Sequence, residues 1–174
     1  MAKKCNLREF QTALSQQLQA AASRDTSGSR LGFRVAGTNW LVSLSDTEEV
    51  IPVPAIVRVP GARRWFRGVA NIRGNLFAVS DFADFMGQGE TPAHADCRLL
   101  IPHHGFGVNA ALLVHGTLGL RNIGRYRVRE AGDAACPWVA RHYADENGGD
   151  WRDLDFGQLL GNAGFLMTEA AFGN

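Results

Sequence analysis

Hydrophobic and polar residues alternate over two short stretches near the start of the chain. From Leu31 to Val35, and again from Trp40 to Leu44, every second residue is hydrophobic. A period of two is typical of a β-strand with one buried face. Because Gly37-Thr38-Asn39 lies between the two stretches and favours a turn, we predict an antiparallel hairpin there.

A second hairpin is predicted in the segment from Val59 to Gly87, which is rich in turn-forming residues. Gly68 and Gly74 bracket a short apolar stretch, and Gly74-Asn75 can supply a two-residue hairpin turn. We therefore predict that the chain returns as a strand from Leu76 to Ser80.

Three residues near this hairpin add local information. Asp81 follows the return strand, where an aspartate can cap a single helical turn, and Gly87 is placed to end that turn. Arg73 occupies the last place of the preceding apolar strand. A guanidinium does not lose its charge, so it must reach either solvent or a carboxylate.

The later part of the chain repeats this pattern of short strands and turns. Residues 98–101 and 109–115 are predicted strands around a turn at 103–107, and Asp155 can begin a closing helix. Short strands separated by close turns indicate a mainly β fold of small barrels rather than a parallel sheet. The predicted core residues are Phe33, Trp40, Val42, Val69, Ile72, Leu76, Val79, Leu112 and Val114.

The clearest predicted helix covers residues 7–22, where hydrophobic residues recur at helical spacing. Residues 23–29 then have the composition of a flexible linker. We therefore divide the chain into an N-terminal amphipathic helix with its linker, residues 1–30, and a domain covering residues 31–174. The apolar face of this helix either packs on the domain or docks on a partner.

Composition places the chain among ordinary globular proteins. It has 174 residues, 45% of them hydrophobic, and a net charge of +1. Such a chain forms one domain with a sizeable core and has no bulk attraction to nucleic acid or to anionic membranes. We find no membrane-spanning run and no signal-peptide core. Cys5, Cys97 and Cys136 show no metal or redox spacing, which predicts reduced thiols in a cytoplasmic protein.

Candidate catalytic and metal-binding residues do not form a recognisable set. His103 and His104 are adjacent, and adjacent side chains in a strand point to opposite faces, so we predict no metal site there. The serines lie outside a Gly-x-Ser-x-Gly motif, and the glycines do not form a phosphate-binding loop. We therefore predict a protein that is not an enzyme and that has no catalytic, cofactor-binding or metal-binding residues.

One basic and aromatic cluster supports an alternative function. Arg63, Arg64, Trp65, Phe66 and Arg67 are consecutive. On a small barrel, such residues can bind single-stranded nucleic acid through phosphate contacts and base stacking. The other interpretation is that Trp65 and Phe66 anchor a loop in the core while the arginines are solvated. We favour the second interpretation, because the rest of the chain is not basic.

The central hairpin carries a resemblance to a known family. The run Gly68-Val69-Ala70-Asn71-Ile72-Arg73-Gly74, followed by Val79, Asp81 and Gly87, resembles the central motif of CheW-like coupling domains, Gly-Val-x-Asn-(Leu/Ile)-Arg-Gly. Upstream, Glu49-Val50-Ile51 and Val59-Pro60-Gly61 match a strand and a turn of the same family. The chain departs from the family at Ala78, where Pro is usual, at Phe82-Ala83 and at Arg63-Arg64. Within the family, it is most similar to the coupling protein of the pathway that controls type IV pili.

This resemblance has specific implications for fold and function. It implies two five-stranded SH3-like barrels around a shared core, with halves at about 31–87 and 97–168. It also implies an adaptor that couples the cytoplasmic tip of a methyl-accepting chemoreceptor to the CheW-like regulatory domain of a CheA-type histidine kinase. The adaptor would be cytoplasmic, recruited to receptor arrays, and would serve pilus-dependent twitching motility without binding nucleic acid or inserting into the membrane. The implied partner-binding residues are Glu49, Val50, Ile51, Gly68, Val69, Asn71 and Arg73, and we expect Arg73 to pair with Glu49.

Overall fold

The computed structural model describes residues 28–133 and 135–166. The helix predicted at 7–22 lies outside the described residues. In the described part of the chain, twelve strands are joined by turns and short helices. The strands are β1 (Ser29–Val35), β2 (Thr38–Ser43), β3 (Thr47–Pro52), β4 (Ile56–Val57), β5 (Phe66–Ile72), β6 (Asn75–Asp81), β7 (Arg98–Pro102), β8 (Ala110–Val114), β9 (Gly116–Asn122), β10 (Arg127–Asp133), β11 (Cys136–Ala144) and β12 (Asp150–Leu154).

The helices are all short. The α-helices are α1 (Phe82–Phe85), α2 (Phe156–Leu160) and α3 (Ala163–Leu166), and 3₁₀ turns cover Leu44–Asp46, His104–Phe106 and Ile123–Arg125. Asp81 caps α1 by accepting hydrogen bonds from the amides of Ala83 and Asp84. Asp155 caps α2 in the same way through the amide of Gln158. Both caps confirm the sequence prediction.

The strands form two sheets, which confirms the mainly β prediction. Among the described residues each sheet has six strands, in the orders β10-β11-β12-β2-β1-β9 and β3-β7-β8-β6-β5-β4. The family resemblance had implied two five-stranded barrels around a shared core. The first sheet combines the N-terminal hairpin with the C-terminal strands, because β12 pairs in parallel with β2. Strand pairing therefore joins segments from both of the predicted halves, 31–87 and 97–168.

A shared apolar core lies between the two sheets. Phe33 and Trp40 of the first sheet belong to the same buried cluster as Leu100 and Leu112 of the second. Ile72, Val79, Leu99 and their neighbours form a second cluster, and Leu41, Tyr143 and Trp151 form a third. Strands β2 and β7 thus place successive residues in different clusters, because alternate side chains point to opposite faces of a strand.

Most of the predicted core residues are buried, namely Phe33, Trp40, Val42, Ile72, Val79, Leu112 and Val114. Two are not. Leu76 is 62% exposed, and Val69 is half-buried. The pairing of β5 with β6 sets Val69 opposite Ala78 and Leu76 opposite Asn71, on the outer face of the sheet. Leu76 was wrongly predicted because its hydrophobicity does not reveal which face the core covers.

The turn of the central hairpin lies one residue earlier than predicted. Ile72 pairs with Asn75, so the turn residues are Arg73 and Gly74, with φ of 53° and 87°. Positive φ at both positions is the signature of the type I′ turn that matches strand twist. The side chain of Asn71 supports the turn by accepting a hydrogen bond from the Gly74 amide at 2.8 Å. Arg73 therefore lies in the turn and not at the end of the strand.

Asp81 is the polar centre of the second sheet. Besides capping α1, its fully buried carboxyl group accepts hydrogen bonds from the backbone amide and the hydroxyl of Thr91, at 2.8 and 2.7 Å. The guanidinium of Arg67 lies 3.6 Å from the same group. This carboxyl group thus joins β6, α1, β5 and the connection that leads to β7.

Gly68 provides a first test of the fold. Its φ is 127°, and a Cβ on it would lie 2.0 Å from the Val57 carbonyl oxygen. We expect Gly68→Ala to lower the free energy of unfolding by about 3 kcal/mol or more, since backbone atoms would have to move. In the control Gly74→Ala, at φ 87° with open space around it, we expect a loss of about 1–2 kcal/mol. Equal losses in urea denaturation would contradict the close packing at Gly68.

Asp81 provides a second test. Asp81→Ala removes a buried acceptor of four hydrogen bonds. We expect a loss of about 3–5 kcal/mol, because buried donors are left unsatisfied. Asp155→Ala is the matched control, since Asp155 caps a helix without this buried network, and should cost about 1 kcal/mol. If the two variants had equal denaturation midpoints, the network would contribute no more than a simple cap.

Candidate functional site

The centre of the candidate site is an ion pair between Arg73 and Glu49. Nη2 of Arg73 lies 2.6 Å from Oε1 of Glu49, which confirms the predicted pairing. The Arg73 side chain is 77% exposed and that of Glu49 is 29% exposed. Glu49 lies in β3, which is three to four strand spacings from the β5–β6 turn in the sheet order. On a flat sheet this would separate them by roughly 14–19 Å, so the contact requires a strongly curled sheet.

A small pocket lies beside this ion pair. Its volume is about 260 Å³, and its apolar lining includes Ile72, Phe77 and Ile101. Its polar lining includes Glu48, Glu49, Arg73 and His104. The pocket is smaller than most small-molecule sites.

An apolar outer face lies next to the same hairpin. Val57 of β4 is 67% exposed and pairs with Val69 of β5. Leu76 of β6, also exposed, lies opposite Asn71. Exposed apolar side chains grouped on neighbouring strands are typical of protein contact surfaces. Sequence reasoning missed Val57 and assigned Leu76 to the core.

The remaining partner-binding residues predicted from the sequence lie deeper. Val50 and Ile51 are half-buried and pack against two different hydrophobic clusters. Gly68 is buried beside the backbone of Val57. Asn71 is exposed, but its side-chain oxygen is bonded to the hairpin turn. The structure therefore brings Glu49 and Arg73 together, with Val69 and Asn71 on the adjoining outer face, and places Val50, Ile51 and Gly68 mainly in packing positions.

The histidine doublet differs from the sequence interpretation. His103 and His104 lie at the start of a 3₁₀ turn, not in a strand, and their ring centroids are 4.0 Å apart. Nδ1 of His104 lies 2.8 Å from Oε2 of Glu48, and the His104 amide donates to the same oxygen at 2.7 Å. That backbone hydrogen bond is the main reason why the pKa of Glu48 is lowered. The expectation that the two rings point to opposite faces was wrong, because the turn directs both to one side.

The basic and aromatic cluster lies in a packed environment. Trp65 is buried and stacks on Phe165, with ring centroids 5.6 Å apart and planes at 7°. Arg67 contacts Glu90 as well as Asp81, and Arg64 lies 3.4 Å from Asp84. Stacking covers the Trp65 ring, and Arg67 and Arg64 each have a carboxylate partner, with the Arg64 side chain still 76% exposed. They agree with the interpretation that Trp65 anchors a loop, although Arg67 is paired with carboxylates and not merely solvated.

The family of the chain follows from comparison with known proteins. A model of the CheW-like domain matches residues 30–163. The chain belongs to the CheW-like domain family. The motif around Arg73 had implied this membership. The family match covers residues of both sheets and not only the motif.

Two similar proteins refine this assignment. The chain is 31% identical to Protein PilI of Pseudomonas aeruginosa over 109 residues, which are 63% of this chain and 61% of PilI. The crystal structure of the scaffolding protein TtCheW from Thermoanaerobacter tengcongensis matches with a TM-score of 0.66. It is 20% identical, and the match covers 79% of this chain and 94% of TtCheW, which supports the fold.

The family determines the broad function. CheW-like proteins are scaffolds of chemosensory signalling, and this chain is a CheW-like protein. The predicted similarity to the coupling protein of the pilus pathway is confirmed by the match to PilI. None of the helices in the described ranges is long and apolar enough to cross a bilayer.

The packing of Trp65 leads to a test of the nucleic-acid alternative. We expect no salt-dependent binding of single-stranded DNA in fluorescence anisotropy, because the Trp65 ring is stacked and Arg67 is paired. Phosphate contacts would instead give an affinity that falls steeply with salt concentration. Binding with a steep salt slope that Arg64→Ala reduces would contradict this expectation.

Proposed function

We propose that this protein couples a methyl-accepting chemoreceptor to a CheA-type histidine kinase in the pathway that controls twitching motility by type IV pili. Membership in the CheW-like family and the 31% sequence identity to PilI support this proposal. The coupling takes place in the cytoplasm, at the membrane-distal tips of arrayed receptors. The observation that carries the proposal is the exposed Arg73–Glu49 pair, displayed by the motif that is typical of the family.

The energetics of Arg73 favour a binding role over a structural one. An exposed ion pair contributes about 0–1 kcal/mol to stability. Holding a residue other than glycine at positive φ costs about 1–2 kcal/mol, and Arg73 has a φ of 53°. The cost is at least as large as the gain from the pair, so Arg73 gives the fold no net stability. Because Arg73 does not stabilise the fold, we assign its side chain to the interaction with another protein.

The proposed contact surface extends from the ion pair onto the outer face of β5 and β6. It comprises Glu49, Val69, Asn71, Arg73 and Leu76, with the 260 Å³ pocket at one side. A charged pair beside exposed apolar side chains provides both orientation and buried area to an incoming protein. Val50, Ile51 and Gly68 act mainly by holding the strands that carry this surface.

Arg73→Ala tests the proposal. We expect a melting temperature within about 2 °C of the wild type, because an exposed pair contributes little. We expect association with the kinase or with the receptor to weaken about tenfold in isothermal titration calorimetry, which corresponds to about 1.4 kcal/mol. Twitching motility should be impaired in cells that carry only this variant.

Arg129→Ala is the matched control. Arg129 also forms an exposed ion pair, 2.9 Å from Asp150, but it lies in the first sheet. This variant should bind both partners as the wild type does. Wild-type affinities of Arg73→Ala for both partners would contradict the proposed role, and unfolding of that variant would show that Arg73 is mainly structural.

A further inference from the structure

Glu48, His103 and His104 form a compact set of donor groups, and none of them is among the five residues of the proposed contact surface. One ligand atom from each of the three residues lies within 4.8 Å of those from the other two. Imidazole nitrogen and carboxylate oxygen are ligands that Zn²⁺ accepts in proteins, often three at a time with a water completing the tetrahedron. We propose that these three side chains form a surface binding site for Zn²⁺. This inference does not depend on the proposed signalling function.

The backbone brings both histidines to the same side. His103 precedes the 3₁₀ turn His104–Phe106, and its amide donates to the Asp46 carbonyl oxygen at 2.8 Å. The turn ends at Gly107, which has a φ of 69° and donates to the His104 carbonyl oxygen at 2.9 Å. Hydrogen bonds at both ends therefore hold the turn that carries the two rings.

A strand irregularity brings the carboxylate to the histidines. The register of β3 against β7 shifts between Thr47 and Glu49, so Glu48 lies at a bulge. In a regular strand Glu48 and Glu49 would point to opposite faces. Here both line the same pocket, Glu49 beside Arg73 and Glu48 beside His104. Bulges commonly redirect a side chain next to a functional site.

The existing hydrogen bonds are compatible with Zn²⁺. The amide of His104 can keep its bond to Glu48 and orient the carboxylate, while Zn²⁺ replaces the interaction of the ring with that carboxylate. Nδ1 of His103 accepts a hydrogen bond from the Gly105 amide at 3.1 Å, and ligation by this ring alters that bond. Because the site is exposed, losing this bond lowers the affinity only several-fold. We therefore expect a dissociation constant on the order of micromolar.

The competing explanation is a simple surface ion pair. His104 and Glu48 are 77% and 45% exposed, and a protonated imidazole beside a carboxylate needs no metal. The two explanations differ in their requirement for His103. An ion pair between Glu48 and His104 does not use the His103 ring, whereas the proposed Zn²⁺ site requires it as a ligand.

The experiment is a Zn²⁺ titration of the full-length protein with the purification tag removed, in competition with a chromophoric chelator. We expect one Zn²⁺ per chain, and we expect Glu48→Gln, His103→Ala and His104→Ala each to weaken binding at least about tenfold, or 1.4 kcal/mol. Mg²⁺ in large excess should not displace Zn²⁺, because imidazole ligands disfavour it. Circular dichroism checks that each variant remains folded.

His94→Ala is the matched control. His94 lies 3.2 Å from Asp96 in another exposed histidine–carboxylate pair, and its loss should leave Zn²⁺ affinity unchanged. No binding at about 100 micromolar Zn²⁺, which would put the affinity below the range of weak specific sites, would overturn the proposal. So would binding that survives His103→Ala at wild-type strength, or binding lost equally in His94→Ala.

Discussion

The hydrogen bonds of the buried Asp81 carboxyl group are the interaction on which the position of the central hairpin depends. This group receives four hydrogen bonds from α1 and Thr91, and it lies beside Arg67 of β5. Burying such a group is costly unless all of its bonds form together. The connected segments therefore order as one unit. Because α1 also packs Phe82 against Trp40, with ring centroids 5.0 Å apart, this unit is attached to the shared core of the two sheets.

The hairpin presents Arg73 on a backbone that is rigid for reasons independent of its charge. The type I′ turn is supported by Asn71, and Gly68 allows the backbone of Val57 to approach β5 closely. Because the ion pair is exposed, separating Glu49 from Arg73 costs little free energy. A charged group of a binding partner can therefore take the place of either residue. Pre-organisation of this kind raises affinity because little conformational freedom remains to be lost on binding. A scaffold protein needs this property more than it needs reactive groups.

The pocket beside Arg73 contains a guanidinium–carboxylate contact and an imidazole–carboxylate contact. The bulge in β3 brings the two together. The bulge at Glu48 lets successive glutamates face the same pocket, one beside a guanidinium and the other beside an imidazole. A cation bound by Glu48 and the histidines would lie next to the Arg73–Glu49 pair. The charge of this surface would then depend on the ion as well as on the side chains, since a bound metal is commonly the largest local charge.

The sequence by itself determined the features that depend on a few neighbouring residues. Alternation identified the first hairpin and turn-forming glycines the central one. Local hydrogen bonding identified the caps at Asp81 and Asp155, and the motif around Arg73 identified the family and the pairing with Glu49. Tertiary structure alone decided which strands are neighbours, because the pairing of β12 with β2 joins residues more than a hundred positions apart. It also decided which face of β6 is covered, and therefore that Leu76 is exposed. The turn at 103–107 was predicted, but the close approach of the two histidine rings and the bulge at Glu48 were not, because alternation along a strand reveals neither.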